Sequence, residues 1–210
     1  QVVENYKPTI KIDPDWEMEK LGEISTLISG YAFKSSEFSI SNKIKSVKIT
    51  NVGVRKFSEN SGDLLPDGFE IKYNNYSVSE NDLVIALTRS IISTGLKVCQ
   101  VPKSYDGALV NQRVAGIKEK SNISNINFIY IYLCTPIAYK FVEDKSKSLM
   151  QPNLSVKDLA QFPIPLPQLS VQEEIVAQIE AEQEMVNSNK KLIEIYEQKI
   201  KDKIGEVWGE

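Results

Sequence analysis

Apolar residues recur at every seventh position towards the C-terminus: Ile179, Val186, Ile193, Ile200 and Val207. No proline interrupts Val171–Val207, so the spacing predicts one long helix over about 170–208 with these five residues on one face. The second row that a coiled coil needs, Ile175, Glu182, Asn189, Tyr196 and Lys203, is mostly polar. Such a stripe asks for a partner helix without being a self-sufficient zipper. Upstream, Pro163, Pro165 and Pro167 alternate with Ile164 and Leu166, which imposes an extended path. Ser170 with Glu173 then reads as the N-cap and capping box of the helix. A rod of about 54 Å, at 1.5 Å per residue, exceeds what a domain of this size needs to cover its own core. It is expected to be a spacer or docking arm.

Before the elbow the pattern is shorter in period. Trp16 opens WEMEKLGEISTLISG, where Leu21, Ile24, Leu27 and Ile28 anchor a short helix or strand that Gly30 ends. Val47, Ile49 and Val52 mark a strand, and Gly62, Pro66 and Gly68 a loop. Leu83–Leu87 reads as a buried strand and Leu96–Val101 as its return. Asn127–Thr135 is so apolar that Tyr130, Tyr132 and nearby Tyr139 are read as core residues rather than stacking platforms. Pro136–Val142 predicts a short helix, and Ser155 with Asp158 caps another. The expected fold class is α+β: a mixed, loop-rich β-sheet domain with short helices, followed by a long C-terminal helix of coiled-coil type. Residues 1–15 are read as a linker, 16–165 as the domain, and 166–210 as the proline elbow and arm.

Composition changes this picture in three places. The net charge of −3 is unpromising for a nucleic-acid binder until it is divided. Residues 1–165 carry 20 Lys+Arg against 18 Asp+Glu, while residues 166–210 carry 5 against 10, so the acid is concentrated on the arm. The domain remains compatible with DNA, because phosphate contacts are made by one face. The chain has no histidine, which removes the commonest general base and any Ser-His-Asp triad. Cys99 and Cys134 sit in strand-like apolar contexts and are read as buried reduced thiols, not zinc ligands. No apolar run reaches the about 20 residues of a membrane span and the N-terminus lacks a signal-peptide pattern, so a cytoplasmic protein is expected. Gln1 is not an initiator methionine, as expected of a processed protein or a piece of a longer one.

Three polar groups carry candidate chemistry. Lys34, Ser35 and Ser36 follow the Gly30 turn; Thr88, Arg89 and Ser90 sit at the exit of the buried strand; Lys145, Lys147 and Gln151 lie in a loop of short polar donors. A guanidinium fork such as that of Arg89 can hold guanine or a phosphate bidentately, though an internal salt bridge is the equal alternative. Lys43, Lys45 and Lys48 alternate along a strand approach, and a solvated face is favoured there over phosphate contact. Asp67, Glu70 and Lys72 superficially offer a metal-dependent nuclease set, but two carboxylates crowded around Gly68 are poorly placed to converge on one ion. A coiled-coil scaffold without any DNA role would explain the arm and leave the domain idle.

The motif W-x-x-x-x-LGEI at 16–24, Gly30-x-x-Phe33, QPNLSVKDL at 151–159 and PIPLPQLSVQEEIVAQIE at 163–180, in that order, resemble the specificity subunit of Type I restriction-modification systems. The likeness covers one target-recognition domain and one conserved helical region. Where that family ends its elbow in Pro-x-x-Glu-Gln, this chain has Pro167-Gln168-Leu169-Ser170-Val171-Gln172-Glu173. The resemblance implies a non-catalytic module that recognises one half of a bipartite double-stranded DNA target. The helix would set the distance to the other half by pairing with a second copy or second half through Ile179, Val186, Ile193, Ile200 and Val207. It further implies docking of adenine methyltransferase (modification) subunits and of a restriction subunit. S-adenosylmethionine, ATP and magnesium are expected only on those partners, and this chain is expected to carry no cofactor. The family usually has two domain-plus-helix units, which leaves a dimerising half-subunit and a fragment of a longer or fused Type II chain both open.

Overall fold

A computed structural model describes residues 10–59, 62, 64–120, 122–146 and 153–208. The chain begins its described core with a short strand β1 (Met18–Lys20), a single helical turn α1 (Leu21–Ile24) and strand β2 (Ser25–Ser29). The two-residue strand β3 (Ser46–Val47) and the one-turn α2 (Phe69–Lys72) follow. Next come β4 (Leu83–Ala86), the hairpin strands β5 (Ile91–Ile92) and β6 (Gly95–Leu96), then β7 (Val98–Gln100), β8 (Leu109–Val110) and β9 (Val114–Glu119). Helices α3 (Ile126–Leu133), α4 (Pro136–Ser146) and α5 (Val156–Ala160) precede β10 (Pro163–Pro165) and the 40-residue α6 (Leu169–Trp208). This is the α+β arrangement expected.

The centre is a four-stranded antiparallel sheet in the order β2-β9-β4-β7. Strand side chains alternate between faces, and here both faces are covered, so all four residues of β4 are buried. Leu83 and Ile85 join Ala115, Ile117 and Val98 in a core roofed by Phe128, Tyr132, Leu159 and Phe162 from the helical half. Val84 and Ala86 point the other way, onto Val47, Val52, Val78 and Val110. A third cluster, Phe33, Leu65 and Leu109, is rimmed by Tyr31, Phe38, Phe69 and Tyr73. The core reading of Tyr132 holds, since its ring is fully buried beside Phe162.

Two expectations are corrected. Cys134 does not lie in a strand: Asn127–Leu133 is helical, and Cys134 is the C-cap of α3. Asn125 starts that helix by accepting from the backbone N–H groups of Asn127 and Phe128, which fixes helical rather than extended backbone despite the aromatic and β-branched content. Ser170 is not the N-cap of the arm, because the helix has already begun at Leu169 and the Gln168 carbonyl accepts from Val171 and Gln172. Both cysteines are free, and burial pushes the Cys99 thiol up to about 12. The Ser155–Asp158 capping box is present as read, with Asp158 N–H donating to Ser155 Oγ at 3.1 Å.

The proline elbow is extended and adds an edge: β10 pairs antiparallel with β1, with Leu21 N–H donating to the Phe162 carbonyl and Leu166 N–H to Glu17 on either side. The arm then docks on the domain for its first three turns. Gln172, Val176 and Ile179 are buried, and Val176 and Ile179 enter the helical core. Gln172 is the peg. Its side-chain amide donates to the Pro167 carbonyl at 2.8 Å and to Ile123 at 3.3 Å, while its oxygen accepts from Asn125 N–H at 2.8 Å. Beyond Ile179 the helix leaves the domain, with Ile193, Ile200 and Val207 exposed to 45%, 59% and 70%.

Candidate nucleic-acid interface

One end of the central sheet gathers the loops that carry polar chemistry. Ser29 at the end of β2 pairs with Ala115, Ala86 at the end of β4 pairs with Val114, and Ile85 pairs with Val98 at the start of β7. The segments 30–37, 87–97 and 111–113 therefore all leave the sheet at the same end. Gly30 lets two of them approach, since a Cβ there would lie 2.0 Å from the Asn111 carbonyl oxygen. Tyr31 and Gln112 then bridge the two segments through the Tyr31–Val110 and Gln112–Tyr31 backbone hydrogen bonds.

The structure brings Thr88 and Arg89 to this end, and the chain leaving β2 carries Lys34, Ser35 and Ser36, all exposed. Lys34 N–H donates to the Glu37 carboxylate at 2.7 Å, which shapes that turn and leaves the lysine side chain outward. Arg89 has φ +50°, in the left-handed region that costs a residue with a Cβ roughly 1–2 kcal/mol. The cost is met by surrounding hydrogen bonds. Leu87 N–H donates to the Arg113 carbonyl, Leu154 N–H to Leu87, and Lys97 N–H to Ser90, each at 2.8 Å. Arg89 N–H itself donates to Asn153 Oδ1 at 3.3 Å.

Arg89 makes no side-chain ion pair among the described residues, so the internal salt bridge that was its alternative is not formed there. Its charge instead sits near Lys97, whose pKa is lowered first by burial and then by Arg89. Two cations held together without a carboxylate repel, and a phosphate between them would remove the repulsion. Arg113, exposed in the adjacent turn, adds a third cation at the same end.

Ser90 is corrected as a contact residue. It is fully buried, its Oγ makes no hydrogen bond among the described residues, and its role is structural, since it is the carbonyl partner of Lys97 in the hairpin. Lys145 is exposed in the last turn of α4, the helix that packs against the β5–β6 hairpin, with its ammonium 5.7 Å from the Phe141 ring centre. Lys147 and Gln151 lie outside the described residues. Of the proposed pairing row, Ile179 is taken up by the domain's own core and Val186 is half-buried, so the open apolar row runs through Ile193, Ile200 and Val207.

The nuclease alternative needs acidic groups that converge. Asp67 is engaged by Lys43 at 2.8 Å, and among the described residues no three of His, Cys, Asp or Glu come together around a possible ion. Lys97, Arg113 and Gln172 were not expected as site residues, whereas Asn153 belongs to the loop of short polar donors read beside Lys145 and Lys147.

The family model described as the Type I restriction modification DNA specificity domain matches residues 14–197. The chain belongs to that family. It is 32% identical over 202 residues to the Type I restriction enzyme EcoAI specificity subunit of Escherichia coli, covering 94% of this chain and 33% of that protein. The MjaVIII specificity subunit of Methanocaldococcus jannaschii is 32% identical over 184 residues, covering 86% and 42%. The chain thus spans well under half the length of these curated relatives.

Among solved structures, a chain from work on complex assembly and conformational transition of the type I R-M system superimposes with a TM-score of 0.65 at 18% identity, covering 93% of this chain and 45% of that one. The HsdS subunit of Thermoanaerobacter tengcongensis gives 0.57 at 18% identity, covering 88% and 41%. These likenesses show the fold, and the specificity-domain fold is therefore that of a sheet domain with an appended long helix. No described helix is long and apolar enough to cross a membrane.

Proposed function

We propose that this specificity-family chain is the DNA-reading module of a Type I, or fused Type II, restriction-modification protein, and that its domain recognises one half of a bipartite target. The observation that carries this reading is the cationic sheet end, where a strained Arg89 stands beside Lys97 with no carboxylate between them among the described residues. Strain held by four backbone and side-chain hydrogen bonds is a way to aim one side chain. Arg89 and Thr88 would meet base edges, while Lys34, Arg113 and Lys145 would hold phosphates and set the register.

The chain itself is non-catalytic in this reading. Its arm pairs with a second copy or a second half, and domain and arm together position adenine methyltransferase subunits and a restriction subunit. S-adenosylmethionine, ATP and magnesium belong to those partners. The test is methylation mapping by single-molecule sequencing in cells that express the chain with its natural methyltransferase partner, which defines the target, followed by binding to target and mismatched duplexes. Arg89→Ala should weaken target binding by about 1–3 kcal/mol and narrow the gap to the mismatched duplex. A gap that stays the same would take base reading away from Arg89.

A further inference from the structure

Residues 87–97 leave the sheet at its cationic end and fold back as a hairpin, in which Ile91 pairs with Leu96 and Ile92 with Gly95. Ser93 and Thr94 form its two-residue tip, and both are exposed. Tips this short are usually built from pairs such as Asn-Gly, because their central residues take positive φ. Here neither Ser93 nor Thr94 does, and Gly95 takes φ +144° instead. The glycine after the turn thus leaves two hydroxyl side chains at the tip.

The ribbon is held on both faces. Ile91 and Leu96 share one face and pack into the helical core, where α4 lies against both strands. Ile92 and Gly95 share the other. A Cβ at Gly95 would lie 3.0 Å from Val54 Cγ1, so the loop 53–55 closes on that strand. Arg55 anchors this loop: its N–H donates to the Val98 carbonyl at 3.0 Å, and its Nη2 donates to the Cys134 carbonyl at 3.1 Å. That second carbonyl caps the C-terminus of α3, where a cation is favoured.

Val54 meets Gly95, while Ile92 opposite it stands 44% exposed. A single exposed isoleucine is ordinary on a protein surface. This one is three residues from Arg89, next to two exposed hydroxyls, on a ribbon braced from both sides. Residues 90–96 carry no charge, so a phosphate offers this tip little. Paired strands lie about 4.8 Å apart, and the major groove of B-DNA, about 12 Å wide, admits a two-stranded ribbon. Its floor carries what the tip can sense, namely base-edge donors and acceptors and the 5-methyl group of thymine.

We infer that the 91–96 hairpin enters the major groove of the half-site, where Ile92 packs on the 5-methyl group of a thymine and the Ser93 and Thr94 hydroxyls bond neighbouring base edges. The inference rests on the DNA-reading function proposed above. It adds to Arg89 the residues that sense an A·T pair.

The test is fluorescence-anisotropy titration of this chain, in complex with its natural methyltransferase partner, on the mapped target duplex. Each thymine of the half-site is replaced in turn by uracil, which lacks only the methyl group. One replacement should weaken binding about fourfold, the worth of one buried methyl. Ile92→Ala should weaken the unmodified target by a similar factor and become indifferent to that uracil, whereas Ile92→Val should stay sensitive to it. Ser93→Ala/Thr94→Ala should narrow the gap between target and mismatched duplex about tenfold. No charge is removed, so the salt dependence of binding should stay that of the parent. Thermal melts identify any variant that is not folded. A folded Ile92→Ala that remains as sensitive to uracil as the parent would overturn the thymine contact while leaving the function standing, as would a half-site in which no uracil is felt. Tip variants that weaken target and mismatched duplexes equally would overturn base reading by the hairpin. A parent complex that does not discriminate target from mismatched duplex would overturn both the hairpin and the function.

Discussion

Ile179 and Ile200 occupy the same row of the same helix, yet the first is 7% exposed and the second 59%. The difference is what lies opposite. Over the first three turns of α6, helix α3 and the elbow supply apolar neighbours and polar partners for Gln172; around Ile200 the helix side chain stands 59% exposed. A seven-residue period therefore reports which face of a helix is apolar and is silent on what covers it. One half of this face is domain core, and the other is a surface that an isolated chain leaves in water.

The largest effect that separates the halves is a buried carboxylate. Val176→Asp should cost about 3–5 kcal/mol of domain stability in denaturant titration, because the charge enters an apolar core without a partner. Ile193→Asp with Ile200→Asp should change the same midpoint by less than about 0.5 kcal/mol. The second pair should instead abolish association in sedimentation equilibrium, where a self-association exists to be lost. Equal destabilisation by both would mean that the arm folds with the domain as one core.

Next in size is Gln172→Leu. The leucine keeps the volume but strands the Asn125 N–H and the Pro167 carbonyl, and about 2–3 kcal/mol should be lost. Changing Gln198, which bonds to Asp202 one turn away on the exposed half, to leucine should cost a few tenths of a kcal/mol at most. If Gln172→Leu melts like the parent, the side chain is not what fixes the arm to the domain.

These contrasts also show what the sequence could reveal. The Ser155–Asp158 box and the extended proline elbow were legible because each is decided by residues within one turn. Helix α3 was not, since a short apolar run suits a buried strand as well as a helix, and only the Asn125 cap breaks the tie. The sheet end was legible in part. Thr88 and Arg89 could be picked as a strand exit, but Lys97, Arg113 and Asn153 join them only through strand register and the fold-back of residue 153 onto 87–89. Ser90 went wrong for the same reason. Its neighbours on both sides are half-buried or exposed, and its own burial comes from the hairpin closing over it.

The smallest effect tests how far the docked half extends. Glu180, one residue beyond Ile179, accepts from Asn127 Nδ2 at 3.2 Å, and Asn127 Oδ1 in turn accepts from Gln100 Nε2 at 2.8 Å. This chain of hydrogen bonds links β7, which starts at the cationic sheet end, through α3 to the arm. The Glu180 contact is solvent-exposed, so water replaces most of what Glu180→Ala removes, and the loss should be about 0.5 kcal/mol. Glu197→Ala, on the exposed half, should lose nothing measurable in the same titration. A double-mutant cycle of Glu180→Ala with Asn127→Ala should return a coupling of similar size, since the two side chains touch. Zero coupling would place the end of the docked segment at Ile179 itself, with Gln172 and the apolar contacts alone holding the arm to the domain.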